Sequence, residues 1–217
     1  MDATELPQKK RMMDAVRVLS MLIPTALLFA ASPPGMQTKI LFADSKATVS
    51  MVTIPARAVY GIPTKLPNNA IWIAIDPVEL FRVGAADAFP QVAKPGDNGK
   101  LSPDEKLRFR NATSRHARLI IVEIKTIENE PTISAPELAA GQILEDASDA
   151  KDRLLIAISG LRLLDVWNLE TDEGRPWRSS KPVLISLRPV DVRWIQSGIH
   201  RFKNLLQTPA QFVTIEL

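Results

Sequence analysis

Glu123 and Lys125 have the residue types and the spacing to act together on a phosphate ester. They alternate with apolar residues in the run 118–127, so a strand there would place both side chains on one face. Asp76, at the end of another strand-like run, and Asp104 could supply a second carboxylate. Two carboxylates are the hard oxygen ligands that Mg²⁺ prefers, and a nearby ammonium group favours hydroxide over water.

The Glu-x-Lys spacing resembles half of the catalytic motif of the PD-(D/E)xK nucleases. In that family two carboxylates hold Mg²⁺ and a lysine stabilises or activates the attacking water, so the resemblance implies a Mg²⁺-dependent nuclease. The first acid of the motif would correspond to Asp76, or to Asp104 in a literal Pro103-Asp104. The resemblance also implies a polar contact from Gln142, on a helix that would follow the strand.

A second group of residues could bind nucleic-acid phosphates. The segment 106–118 carries five cations, which are Lys106, Arg108, Arg110, Arg115 and Arg118, with Phe109 and His116 interleaved. Such a segment suits the phosphate backbone, and binding through it would weaken steeply with salt. The alternative interpretation is a basic turn that is simply solvated.

These residues need a scaffold, and the pattern predicts an α+β fold with a single mixed sheet of five or six strands. The runs 118–127 and 153–159 are apolar enough to be interior strands. A capping box at Ser134-Ala-Pro-Glu137 predicts a helix over 134–150, and Asp191 could cap a second helix over 191–207. The second helix would carry one apolar stripe, made of Ile195, Ile199, Phe202 and Leu206.

Residues 1–35 differ in composition from 36–217, which we interpret as the folded domain. Lys9-Lys-Arg11 precedes an apolar run over 18–31, as in a secretory signal peptide. The interpretation we favour is an apolar helix over 12–31, bent at Pro24 and packed on the domain or on a partner. It slightly favours an intracellular protein, whereas a cleaved signal peptide would imply a secreted one.

Composition excludes several classes of site. The chain has no cysteine, which rules out disulfides and thiolate chemistry, and only two histidines, which argues against a histidine-rich metal site. It also lacks the glycine-rich motifs that hold nucleotide phosphates, so no small-molecule cofactor is evident.

A net charge of +3 and 46% hydrophobic residues are typical of a globular, mildly basic protein. The sequence therefore favours a non-enzymatic structural or interaction protein, similar in composition to viral matrix or coat proteins. Its expected partners are nucleic acid, a membrane surface or further copies of itself. It would need no cofactor. The alternative hypothesis is the Mg²⁺-dependent nuclease.

Overall fold

A computed structural model describes residues 35–62, 70–83, 90–101, 107–125, 130–146, 151–169, 178–179 and 181–217. Every regular element in these ranges is a β-strand. The predicted α+β fold with packed helices is therefore wrong. The predicted N-terminal helix over 12–31 lies outside the described residues, and no helix in the described part of the chain could span a bilayer.

The strands follow one another in two groups. The first group is β1 (Gln37–Ala43), β2 (Ala47–Ile54), β3 (Val59–Gly61), β4 (Ala70–Ala74), β5 (Val78–Arg82), β6 (Gln91–Ala93), β7 (Asn98–Leu101), β8 (Leu107–Arg110) and β9 (Ala117–Ile124). The second group is β10 (Thr132–Ser134), β11 (Glu137–Leu138), β12 (Ile143–Asp146), β13 (Arg153–Ala157), β14 (Leu161–Leu169), β15 (Arg178–Ser179), β16 (Val183–Leu187), β17 (Val192–Ile195), β18 (Ile199–Asn204) and β19 (Ala210–Glu216).

Each group folds into a sandwich of two antiparallel sheets. In the N-terminal sandwich the sheet β1-β2-β9-β4-β7 faces the sheet β3-β8-β5-β6 across an apolar interior. In the C-terminal sandwich β10-β19-β13-β17, with β11 beside β19, faces β12-β18-β14-β15, with β16 beside β14. This double-sheet arrangement is that of a jelly roll.

The two sandwiches share a third core, because each contributes one sheet whose outer face is also apolar. On β9 the interior of the N-terminal sandwich receives Leu119 and Ile121, while Ile120 points the other way. Ile120 packs in a cluster that includes Ile156 of β13 and Val213 of β19. The predicted interior strands are confirmed, since β9 and β13 have neighbours on both sides and pack on both faces.

Polar and aromatic contacts join the sandwiches at the rim of this shared core. Trp194 of β17 stacks on Phe42 of β1 with ring centroids 6.0 Å apart. The Lys46 ammonium lies 5.5 Å from the centre of the Trp194 ring and 2.9 Å from the Asp152 carboxylate. The two halves therefore pack as one body.

The helix predicted over 134–150 is replaced by short strands. Ser134 ends β10, and Glu137 belongs to β11, which pairs with β19. The capping-box pattern predicted the wrong structure because Leu138 pairs with β19 and is buried in the interior of the C-terminal sandwich. Residues 147–150 lie outside the described part of the chain.

The helix predicted over 191–207 is two strands, β17 and β18, separated by a turn at Gly198, whose φ of 145° is one that glycine readily adopts. On β18 the inward side chains are His200, Phe202 and Asn204. Two of these three are polar, so the sequence does not show the alternation of apolar and polar residues that is typical of a strand. The remaining apolar residues have the spacing of a helical stripe, which explains the wrong prediction.

Candidate functional site

A cleft of about 650 Å³ enters the N-terminal sandwich where the edge strands β6 and β7 do not pair with each other. Its inner wall is apolar and is made by Trp72, Leu80, Ala93 and Leu107. Its rim is polar, and the rim residues with side-chain hydrogen-bonding groups are Gln91, Asp97, Asn98 and Lys100. A concave apolar wall with a few polar groups around it is the usual form of a site for a small organic molecule.

Trp72 is held in place as the wall of this cleft. Its ring meets Phe109 edge-on, with centroids 5.4 Å apart. On the neighbouring strand, a Cβ atom added to Gly99 would lie only 2.9 Å from the indole Nε1. The absence of a side chain at Gly99 therefore allows the indole to lie flat against β7.

Glu123 faces the same interior, one row of side chains along from Trp72. It pairs with Ala70 on β4, and Ala70 pairs with Leu101, whereas Trp72 pairs with Ile121 and Gly99. The carboxyl group is half-buried; burial raises its pKa, and the charge of Lys125 opposes that rise. Burial, and secondly the charge of Glu123, raise the pKa of Tyr60 to about 12.

Replacing Glu123 by glutamine is expected to stabilise the protein at pH 7 and to have no such effect in acid. The folded pKa lies above the unfolded value of about 4.3, so the folded state carries a penalty when the carboxyl ionises. That penalty is absent below the unfolded pKa and grows as pH rises through the folded pKa. Melting temperatures of both proteins at pH 4 and pH 7 test this. Glu145→Gln, at an exposed carboxylate of the other sandwich, should not gain stability in this way.

Asp76 does not share a site with Glu123. Its Oδ2 accepts hydrogen bonds from the Arg118 backbone N–H at 2.9 Å and from Nε at 2.7 Å, and its Oδ1 accepts one from Nη2 at 3.0 Å. Because Arg118 and Glu123 are five residues apart on one strand, their Cα atoms are about 16 Å apart. No ordinary side-chain movement brings Asp76 and Glu123 to one metal ion.

The other residues of the nuclease hypothesis are also dispersed. The Lys125 ammonium donates to the Asp44 carbonyl oxygen at 2.6 Å, beyond the end of β9. The Gln142 side chain accepts from the Ala139 N–H at 2.8 Å and belongs to a turn, not to a helix. Asp104 lies outside the described residues. The nuclease hypothesis is therefore wrong.

The basic segment does not form one cationic surface. Arg108 and Arg110 lie on the outer face of β8, where Arg110 is hydrogen-bonded to Glu79. Arg118 is bonded to Asp76, and Arg115 lies in an exposed turn. Lys106 lies outside the described residues. Two of the described cations are thus occupied by carboxylates, and the expected role as a nucleic-acid-binding, matrix-like or coat-like structural protein is not supported.

A buried polar cluster occupies the C-terminal sandwich. His200 Nδ1 lies 3.0 and 3.1 Å from the two Asp165 carboxylate oxygens, and Nε2 lies 2.9 Å from the Gln196 carbonyl oxygen. Both ring nitrogens thus lie within hydrogen-bond distance of oxygen atoms, and the Asp165–His200 pair is enclosed within the sandwich. Arg153, also fully buried, donates from Nη2 to the Gly198 carbonyl oxygen at 3.3 Å.

The two sandwiches carry the same short pattern at equivalent places, and the sequence reasoning missed it. Leu-Arg-Phe-Arg-Asn over 107–111 corresponds to His-Arg-Phe-Lys-Asn over 200–204. Phe109 and Phe202 are both interior, and each asparagine donates to three backbone carbonyl oxygens. In this correspondence His200 of the C-terminal sandwich is equivalent to Leu107, which lines the cleft of the N-terminal sandwich.

The sequence matches no protein-family model and no curated protein. Among solved structures, the chain is similar to a cupin 2 conserved barrel domain protein from Leptotrichia buccalis, with a TM-score of 0.50, 10% identity, and coverage of 86% of this chain and 90% of that chain. The chain has a cupin-like fold. It is also similar to vicilin from Capsicum annuum, with a TM-score of 0.60, 9% identity and coverage of 86% and 83%.

A third solved structure of this cupin-like fold is an enzyme. Oxalate decarboxylase from Bacillus subtilis matches with a TM-score of 0.56 at 10% identity, over 85% of this chain and 74% of that chain. An enzymatic role is thus compatible with the fold. At such low identities the likeness shows the fold alone, and the function has to be argued from the site.

Cupin-fold proteins often bind a metal ion, but the described residues of this chain do not fit one held by histidines. The chain has two histidines in all. His116 is exposed in the turn before β9, and both nitrogens of His200 are engaged by protein acceptors. Within the described ranges no three histidine, aspartate or glutamate side chains are grouped so as to hold a metal.

Proposed function

We propose that this cupin-like protein binds a small organic molecule in the cleft of the N-terminal sandwich. The observation that carries the proposal is the cleft itself, about 650 Å³, open to solvent and reaching the apolar interior at Trp72 and Leu107. Ligand sites of proteins have volumes of about 300 to 1,000 Å³, lined by apolar and aromatic groups with a few polar ones.

The lining indicates the class of ligand. Trp72, Leu80 and Leu107 favour a ligand with an apolar or aromatic part, because these side chains can bury its surface without any hydrogen bond from the ligand. At the rim, the Lys100 ammonium is hydrogen-bonded to Glu130, so its charge is offset. The cleft therefore favours a neutral or weakly charged molecule with one or two hydrogen-bonding groups.

A matched pair of substitutions on β6 tests the binding function. Gln91 and Val92 are adjacent and exposed, but only Gln91 lines the cleft. Gln91→Trp is expected to cover the cleft and to weaken binding at least tenfold, while Val92→Trp places the same ring elsewhere on the surface and should leave binding unchanged. The probe is N-phenyl-1-naphthylamine, an uncharged aromatic amine, titrated by fluorescence under native conditions.

Equal affinity of the two variants would place the probe outside the cleft and overturn the proposal, as would the absence of saturable binding to the unmodified protein. Melting temperatures of both variants serve as the control for folding. Compounds that displace the probe from the unmodified protein, and not from Gln91→Trp, then identify the ligand class.

A further inference from the structure

Trp72 is the one residue on the inner wall of the cleft whose side chain carries a polar atom. The other three wall residues, Leu80, Ala93 and Leu107, are aliphatic. The indole N–H donates a hydrogen bond and cannot accept one. A single donor on an otherwise apolar wall can fix the orientation of a ligand, because the ligand must bring the matching group to that point.

The indole N–H of Trp72 is accessible from the cleft. Within the described part of the chain it has no hydrogen-bond acceptor, although buried indole groups usually find one. Nor is Nε1 among the described side-chain atoms that are sealed from solvent and left without a partner. Trp72 is only 7% exposed and lines the cleft, so the N–H reaches solvent through the cleft. It is therefore a donor that a bound molecule can use.

Gly99 keeps this donor uncovered. It is the cross-strand partner of Trp72 on β7, and it lines the same cleft. A Cβ atom at Gly99 would lie 2.9 Å from Nε1 and 3.2 Å and 3.3 Å from the neighbouring ring carbons Cε2 and Cζ2. The closest of these distances is shorter than real Cβ contacts, so an alanine here would displace the indole and cover its N–H.

We propose that the Trp72 N–H determines the specificity of the cleft, and that the ligand is an apolar or aromatic compound whose buried end carries a hydrogen-bond acceptor. The carbonyl oxygen of an aryl ketone or ester is such an acceptor. A group that only donates, such as an ammonium ion, would find no side-chain acceptor on the inner wall and would lose its hydrogen bonds to water. The inference rests on the binding function proposed above and narrows its ligand class.

Acetophenone and α-methylstyrene are a matched pair of probes, because they have nearly the same shape and only the ketone carries an acceptor. Their dissociation constants are measured by displacement of N-phenyl-1-naphthylamine. The preference for acetophenone, expressed as the ratio of the two constants, should fall at least about threefold in Trp72→Phe, which keeps an aromatic wall without the N–H. Trp194→Phe, the same substitution on β17 of the other sandwich, should leave the ratio unchanged.

The NMR signal of the indole N–H gives a direct test. It is assigned as the indole peak of the nitrogen-15 correlation spectrum that disappears in Trp72→Phe. Saturating acetophenone should move this proton downfield, as hydrogen bonding does, and α-methylstyrene should move it less. Gly99→Ala should abolish both the downfield shift and the preference. Gly61→Ala, at a strand glycine whose Cβ would meet no atom within 4 Å, should preserve both.

The outcomes separate this inference from the binding function on which it rests. If both probes displace N-phenyl-1-naphthylamine with the same ratio in Trp72→Phe as in the unmodified protein, ligands bind without the indole donor and only this inference fails. It also fails alone if N-phenyl-1-naphthylamine binds and acetophenone does not displace it. If none of the three compounds binds saturably, the proposed binding function fails as well.

Discussion

His200→Leu is expected to lower the free energy of unfolding by about 2 to 5 kcal/mol, because it leaves the buried Asp165 carboxyl group without its hydrogen-bond partner. Asp165 and His200 are 5% and 3% exposed, so the carboxylate left behind would have no access to solvent. The Gln196 carbonyl oxygen would lose its donor as well. Urea unfolding followed by circular dichroism measures the effect.

The N-terminal sandwich supplies the control for this substitution. There the residues at the positions of His200 and Asp165 are Leu107 and Leu80, since Leu80 pairs with Phe109 as Asp165 pairs with Phe202. The double variant His200→Leu, Asp165→Leu copies that apolar pair and should recover most of the lost stability, because a buried polar pair can often be replaced by apolar residues at little cost. A double variant as unstable as the single one would show that the pair is not the source of the effect.

Ile156→Ala is expected to cost about 2 to 5 kcal/mol, as large-to-small substitutions in a packed core do. Ile156 is fully buried in the core that the two sandwiches share, together with Ile73 and Ile120 of the N-terminal half. The substitution should therefore lower the local stability of strands on both sides of the shared core. Amide hydrogen exchange should become faster in β4 and β9, although the substitution lies in β13.

Leu163→Ala is the matched control, since Leu163 is equally buried but belongs to the interior of the C-terminal sandwich. Under native conditions it should quicken exchange in its own half while leaving β4 and β9 close to their original rates. If Ile156→Ala leaves exchange in β4 and β9 unchanged, the two sandwiches are energetically independent.

Strands packed on both faces could be predicted from the sequence, and strands with a polar interior face could not. β9 and β13 are continuous apolar runs, which few other structures accommodate. β18 turns His200 and Asn204 inward, and each is satisfied by partners that are distant in sequence, namely Asp165 and the Leu138 carbonyl oxygen. No local sequence pattern reveals such partners. The apolar residues of the segment 191–207, taken alone, therefore predicted a helix.

The same limit applies to the sites. Alternation correctly places Glu123 on the face of Leu119 and Ile121, because the period of a strand is local. It gave no information on Asp76, whose position depends on how β4 pairs with β9. Nor does it reveal the cleft, which exists because two edge strands of different sheets fail to meet. The repeated pattern at 107–111 and 200–204 was readable, but its meaning depended on knowing that both segments are strands.

The shared core has a consequence for how this chain can be divided. Each sandwich has its own interior, so the segment between β9 and β10 looks like a natural boundary between two modules. Yet separation there would uncover two apolar sheet faces, including Ile73 and Ile120 on one side and Ile156 and Val213 on the other. Exposed apolar sheet faces of that kind drive aggregation. The halves repeat each other in pattern, but each covers the apolar sheet face of the other, so neither half is expected to stay soluble when it is produced alone.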